Sequence, residues 1–205
     1  MAGSRETERK WIIGITGGVG SGKSRILDIL KNNYGAKVIL ADEVAHRLME
    51  PGAPGLKRVV EALGDSFIKE DGTVDRPVLA ELIFHDPKVR ETVNGIIHPM
   101  ACGAICREAE EAGSRLVVIE AAVVEEKVHD ICDEMWYVYT SRENRIARLM
   151  ENRGYSREKC IAIMESQWSD GQYRAVCLRE IDNNGTVEDA EKQIHAILKT
   201  IKYIG

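Results

Sequence analysis

Apolar residues in this chain follow two rhythms. Short unbroken runs end at glycine or polar residues, and longer stretches repeat an apolar position every three or four residues. Runs of the first kind are Trp11-Ile12-Ile13-Gly14-Ile15, Val38-Ile39-Leu40, Leu116-Val117-Val118-Ile119 and Met135-Trp136-Tyr137-Val138-Tyr139. Apolar on both faces, they predict buried parallel strands rather than the half-solvated strands of a sandwich. Ile181-Asp182-Asn183-Asn184-Gly185 reads as a further short strand end or turn, for about five strands in all. Helical spacing appears at Ile26-Leu27-Ile29-Leu30, at Leu56-Val59-Val60-Leu63 and at Val78-Leu79-Leu82-Ile83. A helix is also expected from Cys102 to Ala112, stopped by Gly113 and Ser114, and Thr140-Ser141 should cap another. The last helix, Val187 to Ile201, places Ala190, Ile194, Ile197, Leu198 and Ile201 on one apolar side.

Strand and helix alternate except in one place. Pro51-Gly52-Ala53-Pro54-Gly55 is a turn cluster, after which residues 50–101 carry helical spacing, a tight turn at Asp71-Gly72 and no strong strand signal. That stretch is expected to be a helical insertion in an α/β fold. The core then comprises 11–49, 102–140 and 177–205, and 141–176 forms a second excursion, with the helices lying on both faces of a parallel sheet.

The first strand leads directly into Gly17-Gly18-Val19-Gly20-Ser21-Gly22-Lys23-Ser24 and then into a helix, the order that a phosphate-binding loop requires. Without Cβ atoms in the way, consecutive backbone N–H groups can turn inward around a phosphate. The helix adds its own unpaired N–H groups and positive dipole end. Gly18, Val19, Gly20, Ser21, Gly22, Lys23, Ser24 and Arg25 are therefore the expected nucleotide contacts, with Lys23 on the outer phosphates and the Ser24 hydroxyl on Mg²⁺. The chain is read as a P-loop α/β protein that binds a nucleotide.

Carboxylates at strand ends come next, because ligands of open parallel sheets collect there. Asp42 follows the second strand and is a candidate for acting on whatever meets the nucleotide; alternatively it caps a helix beginning Glu43-Val44-Ala45. Glu120 ends the third strand, where a carboxylate can act near Mg²⁺, commonly through water. Arg142, Arg145 and Arg148, spaced at three, share one helix side, with Arg153 beyond them. They form either a solvated basic face or a lid that brings guanidiniums to a transferring phosphate.

Composition narrows the partners. At 205 residues, 44% hydrophobic and 30% charged, the chain has enough apolar material for a substantial core. A formal net charge of −5 argues against a general nucleic-acid binder, which is normally basic. Five cysteines without a C-x-x-C pair suit buried thiols in a reducing, cytoplasmic compartment better than disulfides or a metal site. No apolar run approaches a membrane span, and Met1 to Lys10 lacks a signal peptide's apolar middle. The expected protein is a monomer or weak homo-oligomer, with no nucleic-acid or membrane partner.

From about Ile12 to about Leu198 the chain resembles the dephospho-coenzyme A kinase family. The resemblance rests on Ile13 through Ser24, Ala41-Asp42-Glu43-Val44-Ala45, Glu50-Pro51-Gly52 and Asp71-Gly72-Thr73-Val74-Asp75-Arg76. Ile83-Phe84-His85-Asp86-Pro87, Ile97-His98-Pro99 and Ile181-Asp182-Asn183-Asn184-Gly185 complete it. It implies a three-layer P-loop kinase fold like that of nucleoside-monophosphate kinases, and transfer of the γ-phosphoryl of ATP to the ribose 3′-hydroxyl of dephospho-coenzyme A. By resemblance Asp42 accepts the hydroxyl's proton, and Arg76 and His98 lie in the insertion that receives the acceptor. Asp182, Asn183 and Gly185 lie near the adenine of ATP, and the catalytic lid arginine is Arg153, Arg148 or Arg145. The chain departs from the usual pattern at Arg25 (commonly a small hydroxyl residue), at Leu40 (often Asp) and at Asn152-Arg153. Another departure is Ala121-Ala122-Val123-Val124-Glu125, whose Ala-Ala form resembles the kinase domain of bifunctional coenzyme A synthases. Two other readings remain: a nucleoside or nucleoside-monophosphate kinase of the same fold, or a P-loop module that binds nucleotide without catalysis.

Overall fold

The structure, a computed structural model, describes residues 9–121 and 126–204. Its first elements are β1 (Trp11–Thr16), α1 (Lys23–Tyr34), β2 (Lys37–Leu40), α2 (Ala41–Leu48), α3 (Pro54–Leu63), α4 (Arg76–His85) and α5 (Pro87–Glu111). There follow β3 (Leu116–Glu120), α6 (Glu126–Ile131), β4 (Glu134–Tyr139), α7 (Arg142–Arg153), α8 (Arg157–Glu165), α9 (Asp170–Val176), β5 (Arg179–Asp182) and α10 (Val187–Thr200). The five strands form one sheet in the order β2-β3-β1-β4-β5, and β1 pairs in parallel with both β3 and β4. Ile13 and Ile15, Leu116 to Ile119 and Met135 to Val138 are buried, as expected of strands covered on both faces.

Strand order locates the site. The chain leaves β1 toward the β2 side of the sheet and leaves β4 toward β5, so the connections diverge at the carboxyl ends of β1 and β4. Such a switch point opens a crevice where ligands of open α/β sheets bind. The glycine loop follows β1 there, and Thr140-Ser141 follows β4.

The chain divides into two compact units, one made of the chain up to Val38 and from Glu111 onward, the other of Ile39–Glu110. In the first unit the sheet carries α1 and α10, while α7 and α8 enclose a small cluster of Ile146, Leu149 and Cys160. Among the described residues no helix is long and apolar enough to cross a membrane.

The second unit packs Leu56, Val59, Phe67, Leu79, Val93 and Ile97 into its own core. It is wider than the helical stretch expected at 50–101, because Ala45 of α2 and Met49 just after it pack on that core and α5 continues past residue 101. The Asp71-Gly72 turn forms as expected: Gly72 has φ 81°, and Ile68 and Val74 meet in an antiparallel bridge.

Two local readings are corrected. The helix expected from Cys102 to Ala112 begins at Pro87 and runs 25 residues, so His98-Pro99 lies inside it. Pro99 lacks the N–H that would bond the Gly95 carbonyl, and Gly95 is exposed with open space around it, so water can donate to that carbonyl instead. The second correction concerns Asp42: α2 starts at Ala41 with Leu40 as its N-cap, so Asp42 lies inside the first turn and caps nothing.

Candidate active site

The glycine loop is wound by backbone conformations that suit glycine. Gly20 and Gly22 have φ of 76° and 83°, in the left-handed region where a Cβ is strained. Gly22 is also the N-cap of α1, which has no side-chain cap and no acidic residue in its first turn. The N–H groups and positive dipole end of α1 are thus left without a protein anion to answer them. The buried hydroxyl of Ser21 also has no hydrogen-bond partner among the described residues. These open donors fit a bound polyphosphate.

Around the loop, charge and hydrogen bonds converge. Lys23 Nζ donates to the Gly17 carbonyl at 2.7 Å and lies 3.4 Å from Glu120 Oε1 at the end of β3. The carbonyl of Ser21 accepts from Thr140 Oγ1 at 2.9 Å, Asn183 Nδ2 at 2.8 Å and Arg148 Nη1 at 3.3 Å. Arg148 also donates through Nη2 to the Asn183 carbonyl at 2.7 Å, and Arg25 Nη1 reaches Asn183 Oδ1 at 3.3 Å. Burial, and then the neighbouring Arg25 cation, hold the Arg148 pKa below its usual value. Two guanidiniums and an ammonium around one loop, with Glu120 paired to Lys23, make a site suited to an anion.

Most of the residues expected from sequence are brought together here: Gly18 to Arg25, Glu120, Arg145, Arg148, Asn183 and Gly185. Arg145 is buried and donates from Nε to the Val19 carbonyl at 2.8 Å. Arg25 also approaches the Gly185 carbonyl at 3.4 Å, so this departure from the family pattern ties α1 to the segment after β5. Asp182 serves that segment locally, with its Oδ1 accepting the Asn184 N–H at 2.9 Å. Ser24 is exposed in the first turn of α1, its hydroxyl open to solvent. Arg153 is not drawn in: it lies exposed at the C-terminal end of α7, with no hydrogen bond or ion pair among the described residues.

The remaining candidates belong to the second unit. Asp42 is exposed in the first turn of α2, four residues before His46. Arg76 opens α4 behind its N-cap Asp75, and its Nη1 lies 3.4 Å from His46 Nε2. His98 is exposed on α5. The Ala-Ala segment at 121–125 lies, from Ala122 on, outside the described residues.

Two contributors escaped the sequence reading. Thr140 was seen only as the entrance to a helix, although its place after β4 at the switch point was a usable signal. Gln167 Oε1 accepts the Val19 N–H at 2.9 Å, and nothing in its local sequence announces that.

Metal and thiol chemistry are bounded by the donors present. No group of three or more His, Cys, Asp or Glu among the described residues could hold a metal ion. All five cysteines are free thiols, and burial pushes Cys177 up to about 11, which makes it a poor nucleophile.

Comparison with known proteins agrees with this geometry. The family model for dephospho-CoA kinase matches residues 11–189. The dephospho-CoA kinase of Carboxydothermus hydrogenoformans is 32% identical over 196 residues, covering 94% of this chain and 95% of that protein. That of Geobacter sulfurreducens is 36% identical over 190 residues, covering 91% and 96%. The solved structure of dephospho-CoA kinase from Campylobacter jejuni superposes with a TM-score of 0.68 at 20% identity, covering 94% and 97%, a likeness that speaks for the fold. With a family model spanning most of its length and relatives above 30% identity across more than nine-tenths of it, the chain belongs to the dephospho-CoA kinase family.

Proposed function

We propose that this chain transfers the γ-phosphoryl group of ATP to the ribose 3′-hydroxyl of dephospho-coenzyme A, yielding coenzyme A and ADP. The observation that carries the reading is the charged, donor-rich loop between β1 and α1, in a chain of this family. The loop N–H groups and Lys23 hold the donor's phosphates, and Arg148 and Arg145 supply cationic donors beside them. Lys23, held by Glu120 and the Gly17 carbonyl, is positioned to meet a phosphate oxygen. The Arg25, Asn183 and Gly185 contacts close the side on which the adenosine half of ATP lies. Mg²⁺, when bound at Ser24 with Glu120 acting through water, neutralises phosphate charge.

Ile39–Glu110 is the acceptor-binding unit in this reading. Arg76 meets acceptor phosphate, His98 lines the same side, and Asp42 orients the 3′-hydroxyl and takes its proton. As a carboxylate inside a first helical turn, Asp42 makes no capping bond that its chemistry would have to break. Residues 141–176 act as the lid. The enzyme is taken to be cytoplasmic, a monomer or a weak homo-oligomer.

A coupled ADP-release assay offered dephospho-coenzyme A, adenosine and nucleoside monophosphates in turn tests the assignment. Turnover with dephospho-coenzyme A at least a hundredfold above the others is expected, on the order of what polar recognition delivers. Preference for a nucleoside monophosphate, or no turnover with any acceptor, would overturn it.

A further inference from the structure

The lid grips one residue of the loop at three points. Gln167, between α8 and α9, accepts the Val19 N–H at 2.9 Å, and Arg145 Nε donates to the Val19 carbonyl at 2.8 Å. Arg145 Nη2 closes the ring by donating to the same Gln167 Oε1 at 3.2 Å. The Val19 side chain packs against the lid cluster of Ile146, Leu149 and Cys160.

The chemistry of that ring is selective. Arg145 is only 5% exposed and forms no ion pair among the described residues, although Glu165 and Asp170 line the same pocket. Its partners are an amide oxygen and a peptide carbonyl, which fix the plane of the guanidinium without cancelling its charge. A buried cation satisfied by neutral oxygens remains attractive to an anion. A carboxylate at 167 would hold the same geometry and neutralise it.

We propose that Gln167 is a positioning residue for phosphoryl transfer. It locks the Arg145 guanidinium and the Val19 peptide into one ring and holds that buried cation beside the phosphate-binding loop with neutral oxygens rather than an ion pair. The inference rests on the kinase reading above for its reaction, and on the ring alone for its geometry. Gln167 itself touches no phosphate; it acts through Arg145.

The experiment compares wild type with Gln167→Ala, Gln167→Glu, Arg145→Ala and the Arg145→Ala/Gln167→Ala double variant. It measures kcat, KM for each substrate, thermal melting, and the ratio of ATP to ADP affinity by calorimetry. Gln167→Ala should lower kcat about tenfold, the scale of a hydrogen bond to a charged group, with melting and acceptor KM little changed. Gln167→Glu should lower kcat at least as far although it keeps both hydrogen bonds, because it cancels the charge. The double variant should be no slower than Arg145→Ala, since residues acting as one unit do not add. Should Gln167→Ala fail to fold, Gln167→Glu decides: reduced kcat supports the proposal and wild-type kcat overturns it. Wild-type turnover in Arg145→Ala, or losses that multiply in the double variant, would overturn it as well. The ATP-to-ADP ratio should fall alike in both single variants and no further in the double. That ratio needs no acceptor, so a wrong acceptor leaves this test standing, whereas an unchanged ratio in Gln167→Ala sinks the proposal.

Discussion

The two units hold their candidate side chains by opposite means. In the sheet unit, Lys23, Arg145, Arg148 and Asn183 are all half-buried or buried and tied to loop carbonyls by hydrogen bonds of 2.7 to 3.3 Å. In Ile39–Glu110, Asp42, Arg76 and His98 are all exposed, and Arg76 has a histidine rather than a carboxylate beside it. The first arrangement fixes charge before any substrate arrives, so little reorganisation is left for the moment of reaction. The second leaves these groups at the solvent, so that in the function proposed above binding an acceptor there would cost some side-chain ordering. Rigid donors belong where charge develops, and adaptable ones where a substrate is gathered.

The largest effect should come from the rigid side. Lys23→Ala should lower kcat on the order of a thousandfold or more, because a fixed cation on transferring phosphate is lost. Since its protein partners are one carbonyl and Glu120, melting should stay close to wild type. Near-normal turnover would show that the loop is only a fold element.

Asp42→Asn crosses the comparison, being an exposed residue to which the proposed function gives a chemical task. A drop in kcat of about a hundredfold with both substrates still bound is expected when a general base becomes an amide. Asp42 is not a helix cap, so a stability explanation for such a loss would have to show in melting, where none is expected. Unchanged turnover would strike it from the mechanism.

Arg148 and Arg153 sharpen the contrast within one helix. Removing the Arg148 guanidinium should cost about ten- to a hundredfold in kcat, the worth of charged hydrogen bonds, while Arg153→Ala should change little. The reverse ranking, read from the same kinetic constants, would mean that the lid turns the end of α7 inward during the reaction.

The smallest effect belongs to the flexible side. Arg76→Ala should raise KM for dephospho-coenzyme A about fivefold, typical of an exposed charge pair, with KM for ATP unmoved. If ATP suffered instead, the division between the units would fail.

The fold was largely legible because buried parallel strands and a glycine loop leave strong local signals. β1, β3 and β4 fall where the apolar runs stand, and Lys23, Ser24 and Glu120 follow from strand ends. What stayed hidden depends on the third dimension. The helical period runs unbroken through Pro99, but a proline there reads as a stop until the exposed Gly95 carbonyl is seen. Arg145, Arg148 and Arg153 look equivalent in sequence, and only packing separates two buried or half-buried groups from one in solvent. Gln167 is an ordinary polar residue until the segment between α8 and α9 is seen to meet the Val19 N–H.

The crowding of the loop glycines has a consequence for inheritance. A Cβ on Gly18 would strike the Arg145 guanidinium, and one on Gly22 would strike the Asn183 amide that holds the Ser21 carbonyl. The Arg145 side chain could swing aside, but Gly22 also has a φ of 83°, which strains any residue with a Cβ whatever the space. Selection for a folded protein would therefore preserve that glycine after selection for catalysis had lapsed. A descendant that had lost Asp42 would keep its loop intact for a long time. In this lineage an unbroken glycine loop testifies to architecture, and whether a relative is still an enzyme must be judged at residues that folding does not protect.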